Sequence, residues 1–150
     1  MKLLDRQPDP DLPPHWDIKE IEGRWPDALR GSLLRSGPAL FRRGDETRPY
    51  LLDGDGLAQR WIVDGEAIRH QAAWIRTRKF DQETSRRQFV QPGFSTKGVS
   101  LAALARTDDF NTANTNLIHF NGSLLALWEA GSAHQLHLDD LSTQGPMVWS

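Results

Sequence analysis

Two dipeptides, Asp64-Gly65 and Asn121-Gly122, constrain the fold more than any other feature, because each stands between apolar runs. Asp, Asn and Gly tolerate the positive φ that a tight reversal needs, so each pair predicts an antiparallel hairpin. The first joins "LAQRWIV" to "AIRHQAAWI" and the second joins "NLIHF" to "SLLALW". A weaker reversal follows at Asp139-Asp140, within "HQLHLDDLST". Upstream, Gly23, Pro26, Gly31, Gly37 and Pro38 break the chain into loops and leave room for a short strand at residues 32–35. The polar stretch 80–107 separates the first two hairpins as a long connection, with a short helix expected at residues 101–106. Successive hairpins without βαβ alternation give an all-β meander; a propeller, a sandwich and an open barrel all satisfy that pattern.

The 150 residues suffice for one domain that buries roughly 68–70% of its unfolded surface. Residues 1–17 read as an extended, proline-rich lead-in and residues 18–150 as the folded part. A net charge of −2 gives no electrostatic reason for a nucleic-acid partner, and the pairs Arg42-Arg43 and Arg86-Arg87 read as solvated. The absence of cysteine excludes disulfides, thiolate metal sites and a cysteine nucleophile, and fits a reducing compartment. "MKLLDRQPDPDLPP" is neither a signal peptide nor a span, and no apolar run approaches the roughly 18 residues a span requires. A soluble, cytoplasmic protein is expected.

Asp53-Gly54-Asp55-Gly56 fails as a calcium loop, because Leu57 and Ala58 occupy the positions that need an oxygen ligand and a glycine. It reads as a tight glycine turn whose aspartates cap backbone donors. His134 and His137 are three apart in a strand-and-turn context, where they face opposite ways and make no metal pair. His119 falls on the polar side of its hairpin. The conspicuous residue is Glu129, set directly after Leu124-Leu125-Ala126-Leu127-Trp128. A strand that apolar should be buried on both faces, and an ionised carboxylate held there costs several kcal/mol unless paired. Either Glu129 emerges into water at the strand end, or it accepts a hydrogen bond from an imidazole that holds a metal.

Several stretches resemble the carotenoid cleavage oxygenases, the family of carotenoid, apocarotenoid and stilbene dioxygenases. "IEGRWPDALRGSLLRSGP" is similar to the family's opening signature, and "LLDGDGLAQRWIVDGEA" to its Asp-Gly-Asp-Gly turn and hairpin. "WIRTRKFDQE" is similar to the following Arg-Thr strand end. "NTANTNLIHFNGSLLALWEAG" and "LHLDDLSTQG" resemble its Ala-Asn-Thr strand, its Leu-Ala-x-x-Glu strand and the turn after it. The likeness runs in family order from about residue 18 to 145. His137, Ser36, Tyr50 and Leu57 stand where the family usually has aspartate, asparagine, histidine and methionine.

The resemblance implies a seven-bladed β-propeller with Fe(II) on its axis, held by four histidines of which three are oriented by glutamates. Glu129 matches the first of those glutamates. None of the five histidines here matches a ligand motif, so the chain is expected to supply no catalytic and no metal-ligating residue. At about 40–45 residues per blade, it would provide two to three blades, the N-terminal portion of a larger enzyme and inactive alone. The implied reaction is cleavage of a conjugated C=C bond of a lipophilic polyene by O2. Stilbene-type (lignostilbene) dioxygenases hold the substrate phenol with a tyrosine and a lysine, the lysine just before the strand-end threonine. Here Arg76 precedes Thr77, which favours carotenoid or apocarotenoid substrates. A non-catalytic propeller fragment or binding module is the rival of another class. Residues 89–105 are the candidate for peripheral membrane contact.

Overall fold

The computed structural model describes residues 9–14, 16, 18, 22–24, 26–65, 67–94, 96 and 107–148. Its first sheet is antiparallel, in the order β1-β4-β5, from β1 (Gly31–Leu40), β4 (Asp55–Val63) and β5 (Ile68–Trp74). Between β1 and β4 a small ribbon pairs β2 (Arg42–Arg43) with β3 (Glu46–Thr47). Helix α1 (Arg78–Arg86) follows β5, and a 3-10 turn spans Thr107–Phe110. The second sheet is a meander of β6 (Asn116–Phe120), β7 (Ser123–Leu127), β8 (His134–Leu136) and β9 (Thr143–Pro146), in that order.

The hairpins stand where the turn residues place them. Phe120 pairs with Ser123, so Asn121-Gly122 is a two-residue connection with φ of 47° and 78°. Around Asp64-Gly65 the reversal is longer: Val63 pairs with Ile68, and the Asp64 side chain accepts from Ala67 N at 2.9 Å. The third reversal joins β8 to β9, with Leu136 opposite Thr143 and Leu141 at φ 61°.

Two features differ from the sequence reading. The strand expected at residues 32–35 is ten residues long. Pro38 is tolerated in it because β1 is an edge strand and its register shifts between Pro38 and Leu40. The described helix lies at Arg78–Arg86, while the stretch expected to be helical, 101–106, lies outside the described residues. Thr77 caps α1 by accepting from Phe80 N, and Arg87 ends it in the left-handed conformation.

Alternation along the strands distributes the core to both faces of the first sheet. Ala58 and Ala73 face the second sheet, in one cluster with Ile75, Leu124, Ala126, Leu136 and Leu141. Their neighbours Leu57 and Trp74 form a second cluster with Leu40 and Phe80 of α1. β7 is apolar for the expected reason: Leu124, Leu125 and Ala126 are each 1% exposed or less. Backbone contact fixes how the segment before β6 meets the first sheet. Gly56 N donates to Thr112 O at 2.9 Å and Gly56 O accepts from Ile75 N at 3.0 Å. A Cβ on Gly56 would lie 2.5 Å from Ala113 O, so only glycine allows this approach.

Candidate functional site

The segment 111–115 leads into β6 and is stitched to the Asp-Gly-Asp-Gly stretch by buried hydrogen bonds. Asn114 Nδ2 donates to Gly54 O at 2.7 Å and to Leu52 O at 3.1 Å. Asn111 Oδ1 accepts from Ala113 N at 2.9 Å, and its Nδ2 donates to Ser132 O at 2.9 Å. Ala113 is held at φ 45°. Thr115 follows at the mouth of β6, with its hydroxyl donating to Leu127 O at 2.7 Å. The last residues of β7 are thereby fixed against Thr115, and Trp128 and Glu129 come next.

Trp128 is buried, and its ring meets Phe110 edge-on at 5.4 Å and Phe94 at 6.3 Å between centroids. Its indole N–H has no hydrogen-bond partner among the described residues. Glu129 is exposed, so this stretch by itself does not incur the burial cost argued from the sequence. Beside it, Asp108 accepts from Ser132 N and Ser132 Oγ, both at 2.7 Å, and from Asn111 Nδ2 at 3.0 Å. Burial alone would raise the Asp108 pKa; these hydrogen bonds, with a smaller contribution from His134, hold it below the ordinary 3.8. Burial lowers the His134 pKa below 6.5, against a backbone contact at Ser132 and the Asp108 charge.

The histidines do not converge. His134 is buried on β8, His137 lies in the turn after it and is exposed, His119 is exposed on β6, and His70 is buried against Trp61. His15 lies outside the described residues. Among the described residues no three His, Asp or Glu side chains are grouped as a metal site.

Several readings of the sequence need correction. Arg43 is not solvated: it is 4% exposed and ion-paired to Asp55 at 2.7 Å and to Glu83 at 3.3 Å. Lys79 completes the group, 2.6 Å from Asp55 and 2.9 Å from Glu83. Asp55 is therefore the centre of a buried ionic cluster and not a turn cap. Half of the cluster comes from α1, whose buried side chains are Lys79, Phe80 and Glu83. Arg76 is exposed and paired with Asp81 at 2.8 Å, while Thr77 is buried as the helix cap.

Comparison with known proteins decides the family. The RPE65 family model, described as retinal pigment epithelial membrane protein, matches residues 7–150. The chain belongs to this family, the carotenoid oxygenases. It is 32% identical over 139 residues to apocarotenoid-15,15'-oxygenase from Synechocystis, covering 89% of this chain and 28% of that protein. Isoeugenol monooxygenase from Pseudomonas putida is 31% identical over 131 residues, 84% of this chain and 26% of the relative. Among solved structures, a glutamate-to-aspartate variant of Synechocystis apocarotenoid oxygenase superposes with a TM-score of 0.79 at 29% identity. That match covers 95% of this chain and 30% of the other. A cobalt-substituted form of the enzyme gives 0.78 at 30% identity, over 94% and 30%. The two antiparallel sheets are thus part of a β-propeller, and this chain of the carotenoid oxygenase family spans under a third of the length of these relatives.

The matched Synechocystis structures include substitutions at a threonine, at a tryptophan thirteen residues further on, and at the glutamate next to it. Thr115, Trp128 and Glu129 have the same spacing here.

Proposed function

We propose that this chain is the N-terminal part of a non-haem Fe(II) oxygenase that cleaves a conjugated C=C bond of a carotenoid or apocarotenoid. The observation that carries the reading is the Thr115, Trp128 and Glu129 set, with the order and spacing of the three positions substituted in the Synechocystis enzyme, at the junction of the segment 111–115 with β7. In the reaction both atoms of O2 enter the products, the double bond breaks, and each alkene carbon becomes an aldehyde or ketone carbonyl. Iron, when bound, supplies the activation of oxygen. None of the five histidines matches a ligand motif of the family, so the iron ligands would come from the remainder of the enzyme. Glu129 would then accept a hydrogen bond from the second ring nitrogen of one iron-holding imidazole and fix its orientation. Trp128 adds an apolar face beside it, and Thr115 closes the strand end with its hydroxyl engaged by Leu127.

A second reading has support of its own, since isoeugenol monooxygenases from two Pseudomonas species are among the relatives. It would make the substrate a phenolic alkene such as a hydroxystilbene. Incubating the iron-loaded full-length protein with an apocarotenal and with a hydroxystilbene separates the two; aldehyde from the polyene is the expected product. Cleavage of the phenolic alkene alone would reverse the assignment, and no product from either would leave a non-catalytic binding module. For Glu129, replacement by glutamine in the full-length protein should lower iron content about 10–100-fold at limiting metal, with little change in melting temperature. Unaltered iron content would rule out the orienting role.

A further inference from the structure

The Asp-Gly-Asp-Gly stretch contains two aspartates with separate fates. Asp55 belongs to the ionic cluster under α1. Asp53 is 2% exposed and reaches the opposite way, toward the turn at residues 93–96. Its Oδ1 accepts from Phe94 N at 2.6 Å. The carboxylate lies so close to Gly93 that a Cβ there would fall 2.6 Å from its Cγ and Oδ1. The turn is also closed on itself, with Gly93 N bonded to Thr96 Oγ1 at 2.9 Å and Thr96 N to Gly93 O at 3.0 Å. Phe94, carried on this turn, lies 6.1 Å from Tyr50 and 6.3 Å from Trp128.

We infer that Asp53 and Gly93 form a latch that holds Phe94 on Trp128, making Asp53 a positioning residue for the aromatic face next to Glu129. A charged acceptor bonded to a backbone N–H is among the stronger hydrogen bonds, and the missing Cβ is what lets the carboxylate reach it. Asp53 acts on Trp128 through the turn, by way of its bond to Phe94 N. The significance of that face for substrate rests on the oxygenase reading, whereas the latch itself is a statement about residues 53, 93 and 94.

The test is amide hydrogen exchange in the full-length protein carrying Asp53→Ala, Gly93→Ala or Asp53→Asn. Local release should speed exchange at the Phe94 and Thr96 amides about tenfold or more in the first two variants, with the amides of Leu57 and Leu125 unchanged. Asn retains a side-chain oxygen acceptor, so Asp53→Asn should restore most of the protection. Combining Asp53→Ala with Gly93→Ala should add little to either alone at the Phe94 amide, because both disrupt the Asp53–Phe94 contact. Equal acceleration at Phe94 and at the core amides would show global destabilisation and overturn the latch, as would unchanged exchange in Asp53→Ala or no rescue by Asn. Absence of cleavage products in the wild type would instead overturn the oxygenase reading and leave these exchange results standing.

Discussion

His134 and Asp108 titrate in the same direction for different reasons. Burial disfavours the imidazolium of His134 and lowers its folded pKa below 6.5. Burial also opposes the Asp108 carboxylate, but the hydrogen bonds from Asn111 and Ser132 prevail and lower its pKa below 3.8. In both cases the unfolded chain binds more protons than the folded one between the two pKa values, so stability rises with pH across that window. Acidification should therefore weaken the fold first below pH 6.5, through His134, and again below pH 3.8, through Asp108. Urea midpoints measured against pH should show both declines, and His134→Gln should remove the first while leaving the second. An identical profile in the variant would dissociate His134 from acid sensitivity.

At the scale of elements, α1 is held by charge as much as by apolar area. Its inward face presents Lys79, Phe80 and Glu83. Lys79, Glu83, Arg43 and Asp55 all have side chains 2% exposed or less, two cations against two carboxylates. Removing one member leaves an uncompensated buried charge, which typically costs about 3–5 kcal/mol. Lys79→Met should thus lower the unfolding free energy by that amount, read as a lower urea midpoint at unchanged slope. A loss under about 1 kcal/mol would mean that water or a rearranged Arg43 takes over the charge. Phe89 lies over the same group, its ring centroid 5.9 Å from the Arg43 guanidinium and 5.8 Å from the Lys79 ammonium, so the segment after α1 is tied to this cluster as well.

For the whole molecule the decisive point is where the segment leading into β6 touches the first sheet through backbone. Gly56 sits under Thr112 and Ala113, whose carbonyl oxygens would be 2.7 and 2.5 Å from any Cβ placed there. Backbone cannot swing aside as a side chain can, so Gly56→Ala must push the segment 111–115 away from β4. Calorimetry should show a destabilisation at the upper end of the about 1–3 kcal/mol usual for overpacking. In the full-length protein, the same change should displace Thr115 and the end of β7 together. A melting temperature equal to wild type would show that the segment 111–115 shifts without cost.

The hairpins and the apolar centre of β7 were legible in the sequence because their determinants are local. Asn121-Gly122 can adopt its own φ values, and side-chain alternation follows from strand geometry alone. The length of β1 was not legible, because Pro38 ends a strand unless it lies on an edge, and edge position is a property of the sheet. Helix α1 was missed because its buried face is largely charged and shows little apolar periodicity; Thr77, Asp81 and Arg86 were the available end signals. Arg43 read as solvated since its partners are twelve and forty residues away in the chain. Family membership and the candidate role of Glu129 came from motif order, which needs no coordinates. Which aspartate of Asp53-Gly54-Asp55-Gly56 holds a helix and which holds a turn was decided only by the packed sheets, because a carboxylate's partner is set by what the fold brings within 3 Å of it.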